Sequence, residues 1–128
     1  MMKSSSAFTL LEMLIVLGII AIIISIASVS YSTAQKKSRD ARRKSDLKLI
    51  QSSFEQYYSL CGYQYPVGSG GAVPTVGCTS PVAIILPTVP VDPRSTPYPM
   101  SVSTSSTYTI CTTLEVETPA SYCLSNQQ

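Results

Sequence analysis

The sequence predicts an α+β fold, in which one long N-terminal α-helix packs on a small C-terminal antiparallel β-sheet. Residues 8–29 are almost entirely apolar, and residues 31–60 contain neither glycine nor proline, so both stretches suit a helix. After residue 97, three short segments rich in threonine, tyrosine, valine and isoleucine suit strands. A length of 128 residues allows one domain of ordinary size.

The apolar run from residue 8 to residue 29 predicts one membrane span. Its only polar side chains are those of Thr9, Glu12, Ser25 and Ser28. As a helix, these 22 residues extend about 33 Å, which is enough for a hydrocarbon core of about 30 Å. A secretory signal peptide is the alternative, because Ser25, Ile26 and Ala27 resemble a small-x-small cleavage site. The run is longer than the usual hydrophobic region of a signal peptide, which favours the span.

The helix is predicted to continue beyond the apolar run as an amphipathic segment. Apolar side chains recur at spacings of three and four residues at Leu47, Ile50, Phe54, Tyr57 and Cys61. This spacing places them on one helix face, which needs an apolar partner in the rest of the chain. Gly62 follows as the predicted C-terminal stop of the helix.

The remainder is predicted to be a loop followed by a three-stranded sheet. Residues 62–97 are rich in proline and glycine, which excludes a long helix or a central strand. Three antiparallel strands are predicted at Tyr98–Ser103, Thr107–Leu114 and Ala120–Ser125.

The composition argues against an enzyme. Histidine is absent, and nine basic and seven acidic residues leave few groups for proton transfer. Serine and threonine are plentiful, but no base is placed to activate them. Glu115 and Glu117 are too few for a calcium site, and the cysteines lack the spacing of a zinc module. We therefore predict no catalytic residue, no cofactor and no metal.

Seven of the nine basic residues form a cluster after the apolar run, here named the basic collar: Lys36, Lys37, Arg39, Arg42, Arg43, Lys44 and Lys48. One interpretation is that the collar binds phosphates of nucleic acid or of anionic lipids. The other is that it only solvates the exposed face of the helix. The bases do not alternate with aromatic side chains that stack on nucleobases, which favours the structural interpretation.

All four cysteines lie in the last 68 residues of the chain, at positions 61, 78, 111 and 123. Disulfides are favoured, which implies that this part of the chain lies in an oxidising compartment outside the cytoplasm. The positive-inside rule would instead place the adjacent basic collar in the cytoplasm, so the two indications conflict. Three pairings are possible. We favour Cys61 with Cys78, which closes the loop onto the helix end, and Cys111 with Cys123, which links adjacent strands.

The segment Ser6 to Glu12, which reads SAFTLLE before the apolar run, resembles the processing site of type IV pilins and type II secretion pseudopilins. The resemblance implies that prepilin peptidase cleaves between Ala7 and Phe8 and that Phe8 is then N-methylated. The residue before the cut is usually glycine in that family, whereas here it is Ala7, which is also small. Family members often carry a helix-weakening proline in the apolar run. This chain has none before Pro66, so we predict a continuous helix.

By the same resemblance, Glu12 is an assembly residue that pairs with the new amine of Phe8 on a neighbouring subunit. The alternative is that Glu12 only extends towards the lipid headgroups. The implied organisation is a leader over residues 1–7, a membrane and fibre-core half of the helix over 8–30, an amphipathic half over 31–61 and a head over 62–128.

The resemblance implies a structural subunit of a type IV pilus or of a type II secretion-like pseudopilus. Its expected partners are prepilin peptidase, an inner-membrane assembly platform, and copies of itself or other pilins in a filament. The N-terminus would lie in the cytoplasm and the head outside, first in the inner membrane and later in a periplasmic or cell-surface filament. The alternative is a bitopic membrane-anchored binding module, for example for DNA uptake, although nucleic acid is not the favoured partner.

Overall fold

A computed structural model describes residues 8–68 and 71–128 of the chain. The chain forms two compact units that divide between Gln35 and Lys36. Helix α1 is followed by five strands, with the bounds α1 (Leu10–Leu60), β1 (Val76–Thr79), β2 (Val82–Leu86), β3 (Met100–Ser103), β4 (Tyr108–Thr113) and β5 (Ser121–Ser125). A long N-terminal helix followed by small antiparallel sheets confirms the predicted α+β fold.

Helix α1 is continuous and ends where the sequence predicts. It passes through Gly18 without interruption, as expected for a helix that lacks an internal proline. At its C-terminal end, Gly62 has a φ of 87° and the N–H of Tyr63 donates to the carbonyl of Tyr58 at 3.0 Å. This six-to-one hydrogen bond with a left-handed glycine is a Schellman motif, which satisfies a carbonyl at the helix end.

The core of the second unit forms between the amphipathic part of α1 and the strands. Leu47, Ile50 and Phe54 of the predicted stripe are completely buried, while Tyr57 and Cys61 are half-buried. The ring of Phe54 meets that of Tyr108 edge to face, with centroids 4.9 Å apart. The core residues contributed from outside the helix are Tyr65, Val73, Val76, Leu86, Tyr98, Met100, Tyr108 and Ile110.

Strands β3, β4 and β5 form the predicted antiparallel meander in that order. Along β4, buried residues alternate with more accessible ones. Tyr108, Ile110 and Thr112 point into the core, because successive side chains of a strand point to opposite faces. The observed strands begin or end within two residues of the predicted bounds.

The structure differs from the predicted loop over residues 62–97, since β1 and β2 form an antiparallel hairpin within it. Its prolines flank the strands: Pro74 precedes β1, Pro81 lies in the turn and Pro87 follows β2. Within the described hairpin, no proline therefore occupies a position where a strand needs its N–H group. Val76 and Leu86, which face each other across the hairpin, are buried in the core and hold it there.

Two disulfides connect these elements in the structure, in the pairs favoured from the sequence. Cys61 at the end of α1 is joined to Cys78 in β1. Cys111 and Cys123 lie directly opposite each other on β4 and β5, with Cα atoms 4.1 Å apart, and are joined as well.

Candidate functional site

The amino-terminal end of α1 is built by a short capping motif. The N–H of Glu12 donates to Oγ1 of Thr9 at 3.2 Å, which makes Thr9 the N-cap of a helix that begins at Leu10. Threonine followed three residues later by glutamate is a capping-box pattern, and it satisfies an N–H group that the first turn leaves without a partner. Phe8 therefore lies outside the helix. Ala7, on the other side of the predicted cut, lies outside the described residues.

Glu12 lies in the first turn of α1, where the partial positive charge of the helix N-terminus favours a carboxylate. Its side chain is exposed and makes no hydrogen bond or ion pair within the described part of the chain. The residues around it are apolar, as the sequence shows. A carboxylate in such surroundings is a strong candidate for pairing with a cation of another molecule.

The N-terminal part of α1 is apolar and exposed on every side. Every residue from Phe8 to Ser28 is exposed, with Leu10 at 92%. The most apolar 18-residue window of the helix has a mean hydropathy of 2.9, and none of its residues is buried. By length and composition, the helix could cross a membrane. So large an apolar surface needs cover from lipid or from another protein.

The two serines of this stretch do not interrupt its apolar character. The hydroxyl of Ser25 donates to the carbonyl of Ala21, and that of Ser28 donates to the carbonyl of Ile24, both at 2.8 Å. Each hydroxyl is thus satisfied within the helix, as a polar group in a hydrocarbon environment requires.

Within the second unit, much of the basic collar forms an ionic cluster with acids of the strands and loops. Arg43 is buried at its centre. Its Nε donates to Asp92 at 2.5 Å, and its Nη1 lies 2.9 Å from both Asp40 and Glu115. The hydrogen bond with Asp92 is the main cause of a raised Arg43 pKa, so its charge is fixed.

Asp40 joins the helix to the segment between β4 and β5. Its carboxylate accepts hydrogen bonds from the N–H groups of Glu115 and Val116, at 2.8–3.0 Å and 2.9 Å respectively. Burial alone would raise the pKa of Asp40, but these two N–H groups and Arg43 outweigh it and hold the pKa below its ordinary value.

The carboxylate of Glu115 pairs with three arginines. Arg39 binds it through two hydrogen bonds of 2.8 Å and 2.7 Å, and Arg94 binds it at 3.0 Å. Together with Arg43, and chiefly through the hydrogen bond from Arg39, they lower the pKa of Glu115 to about 2. Beyond this centre, Lys44 pairs with Glu117 and lies 5.5 Å from the ring centre of Tyr122. These contacts support the structural interpretation for Arg39, Arg43 and Lys44.

The sequence predicts the collar but not the acidic partners of its arginines and lysine. Asp92 and Glu115 are 49 and 76 positions from the arginines that they bind, Arg43 and Arg39, so no local pattern links them. The only available signal is the opposite charge balance of the two ends of the chain. A groove of about 420 Å³ adjoins the cluster and is lined in part by two arginines and two carboxylates whose charges neutralise one another: Arg43, Arg94, Asp92 and Glu115. No group of three or more metal-ligating side chains was found among the described residues.

Comparison with known proteins gives one match. Residues 2–28 match the family model for the prokaryotic N-terminal methylation motif, which is the signal segment of type IV pilins and pseudopilins. No curated protein and no solved structure matches the chain. The motif implies processing by prepilin peptidase and assembly with other pilins, and it is the mark of a structural protein. Together with the apolar helix, it fits a membrane-anchored, type IV pilin-like protein.

Proposed function

We propose that the chain is a structural subunit of a type IV pilus or of a type II secretion-like pseudopilus. The observation that carries the proposal is an apolar helix that begins within the methylation motif and is exposed on every side over the matched residues. Such a helix has two stable environments, a lipid bilayer and a bundle of like helices. A pilin-type subunit uses both, first when it is stored in the membrane and then when it is assembled.

Processing starts at the bond between Ala7 and Phe8. Hydrolysis of this amide by prepilin peptidase removes residues 1–7 and leaves Phe8 with a free amine, which is then methylated. The N-cap at Thr9 supports this step, because it keeps Phe8 out of the helix. A peptidase can bind the non-helical chain at this position. The head is exported and the N-terminus stays on the cytoplasmic side. The two disulfides are consistent with an oxidising location for the head.

Glu12 guides assembly by pairing with the amine of Phe8 on a neighbouring subunit. A charged side chain costs about 3 kcal/mol at the middle of a bilayer and less towards its surface, so an unpaired carboxylate in the first turn of the apolar helix still favours a partner of opposite charge. The amine at Phe8 is positively charged at neutral pH. Because the two groups lie four residues apart in each chain, pairing between subunits fixes the axial register of neighbouring helices.

The test is to replace Glu12 in the full chain and to follow insertion, cleavage and assembly separately. Glu12→Gln keeps the shape of the side chain and removes its charge. We expect this variant to insert and to lose its leader normally, while the amount recovered in sheared filaments falls by more than about tenfold, equivalent to about 1.4 kcal/mol.

Ser25→Ala is the matched control. It removes another polar group of the apolar run, but one whose hydroxyl is already satisfied within the helix. We expect wild-type levels of filament for this variant. Filament incorporation of Glu12→Gln at the wild-type level would refute the assembly role of Glu12.

A further inference from the structure

Three lysines of the basic collar lack an acidic partner within the described part of the chain. Of the eight described bases, Arg39, Arg42, Arg43, Lys44 and Arg94 lie within 4.0 Å of a carboxylate. Lys36, Lys37 and Lys48 are exposed and form no such pair with any described residue. The collar is therefore divided into bases that hold the fold together and bases that are available to an external anion.

The acids of the second unit leave no obvious partner for these lysines on another copy of the chain. Each of its acidic side chains is engaged by an arginine, a lysine or tyrosine hydroxyls within the unit: Asp40, Asp46, Glu55, Asp92, Glu115 and Glu117. These carboxylates are already paired with cations or hydrogen-bonded to hydroxyl groups, so they attract a lysine of another copy more weakly than an unpaired carboxylate would. The free lysines thus favour an anion of another chemical class.

Lys36 and Lys37 also follow the predicted membrane span closely in sequence. Lys36 is seven residues after the apolar run, which ends at residue 29. Seven residues span about 10 Å as a helix and no more than about 25 Å when fully extended. A lysine side chain adds several ångströms of reach, so phospholipid headgroups at the bilayer surface are accessible to both lysines.

Nucleic acid fits these two lysines less well. Proteins that bind DNA through its backbone typically contact many phosphates along a groove, often with aromatic side chains that stack on bases. Here two adjacent lysines are preceded by Ser32, Thr33, Ala34 and Gln35, with no aromatic side chain among them. A bilayer, by contrast, presents many headgroups in one plane, and each lysine near that plane favours anionic lipid by about 1 kcal/mol.

We propose that Lys36 and Lys37 bind the phosphate groups of anionic phospholipids while the chain is held in the membrane. The proposal rests on the membrane span within the proposed function and not on filament formation. The bound lipids set the depth at which the chain leaves the bilayer and concentrate anionic lipid around the stored subunit.

The test uses the full chain reconstituted in phosphatidylcholine vesicles that contain a spin-labelled lipid. The motionally restricted fraction of spin-labelled phosphatidylglycerol is compared with that of spin-labelled phosphatidylcholine by electron paramagnetic resonance. We expect a preference for phosphatidylglycerol of up to about fivefold for each lysine, lost at high salt. Lys37→Gln should lower this preference, and the double variant K36Q/K37Q should abolish it.

Lys48→Gln is the matched control, because it also removes one exposed lysine without an acidic partner, but eleven residues further along the chain. It should keep the wild-type preference. Equal loss in Lys37→Gln and Lys48→Gln, or no preference in an inserted wild-type chain, would overturn the proposal. Binding of a short fluorescent DNA duplex that Lys37→Gln weakens, without lipid preference, would overturn it in favour of nucleic acid.

Insertion is measured in the same vesicles by resistance to alkaline carbonate extraction. A wild-type chain that is extracted would overturn both the membrane span and the lipid site. A chain that stays inserted but shows no lipid preference would overturn the lipid site alone.

Discussion

Arg42 and Arg43 are neighbours in sequence with very different roles in the structure. The side chain of Arg43 is 4% exposed and contacts three carboxylates, whereas that of Arg42 is 67% exposed and lies 4.0 Å from Asp46 alone. Nothing in the sequence separates them, because both belong to the same run of bases. Which of the two is buried depends on where the strands place Asp92 and Glu115, and that is a property of the tertiary fold.

Removing each of these charges in turn tests this difference. We expect Arg43→Gln to lower the free energy of unfolding by about 3 kcal/mol, because it leaves buried carboxylates without their cation. Arg42→Gln, the matched control, should lower it by less than about 1 kcal/mol, as is usual for an exposed pair. The measurement is thermal unfolding of the full chain in detergent, followed by the near-ultraviolet circular dichroism of its tyrosines. Equal effects of the two variants would contradict the central position of Arg43.

The same cluster predicts a loss of stability in acid. Arg39, Arg43 and Arg94 hold the folded pKa of Glu115 at about 2, below its ordinary 4.5, and the pKa of Asp92 is lowered by Arg43. As the pH falls, the carboxyl groups are protonated in the unfolded chain before they are protonated in the folded one. The stabilisation of the folded state by these ionised carboxylates is therefore complete above about pH 4.5 and is lost as the pH falls towards 2.

The check is the midpoint of thermal unfolding at a series of pH values from neutral to acid. Glu115→Gln should unfold at a lower temperature than wild type near neutral pH and should change less on acidification, because it lacks the titrating group. A wild-type midpoint that is constant down to about pH 2, well below the ordinary pKa of carboxyl groups, would show that the cluster does not stabilise the fold.

At the scale of elements, helix α1 and the three-stranded sheet could be predicted from sequence because their patterns are local. The apolar stripe that includes Leu47, Ile50 and Phe54 has helical spacing, and Gly62, with its positive φ, terminates the helix. The β1–β2 hairpin could not be predicted in the same way. Its strands are short and lie among prolines, and it is positioned by the burial of Val76 and Leu86 against distant core residues.

The disulfide from Cys61 to Cys78 is predicted to hold this hairpin to the end of α1. An isolated two-stranded sheet is only marginally stable in water, so the β1–β2 hairpin depends on this disulfide and on the burial of Val76 and Leu86 to stay folded. In the double variant C61S/C78S we expect faster amide hydrogen exchange confined to β1 and β2.

C111S/C123S is the control for the hairpin prediction, because it removes a link within the other sheet. It should lower overall stability by about 3 kcal/mol and should not selectively open β1 and β2. Unreduced peptide maps establish the pairing itself, and a fragment that joins Cys61 to Cys111 would contradict both disulfides. Unchanged exchange of β1 and β2 in C61S/C78S would show that burial alone retains the hairpin.

For the whole molecule, the hydrophobic share of 45% describes the N-terminal helix more than the core. The apolar residues from Phe8 to Ala27 are exposed, and the core is made by a later, short stretch of α1 and by the strands. The formal charge of +2 likewise conceals a basic collar that is partly neutralised by the acids of the strands and loops. The motif, the helix and the sheet were predictable from sequence, whereas the ionic cluster required the fold.

Assembly through Glu12 depends on cleavage between Ala7 and Phe8, because that step creates the amine that Glu12 is proposed to bind. Mass spectrometry of the protein purified from its own membranes tests this most directly. We predict a mature chain that begins at Phe8 and carries one methyl group on its N-terminal amine. A mature chain that retains residues 1–7 would contradict the proposed function and would indicate a membrane-anchored binding module in its place.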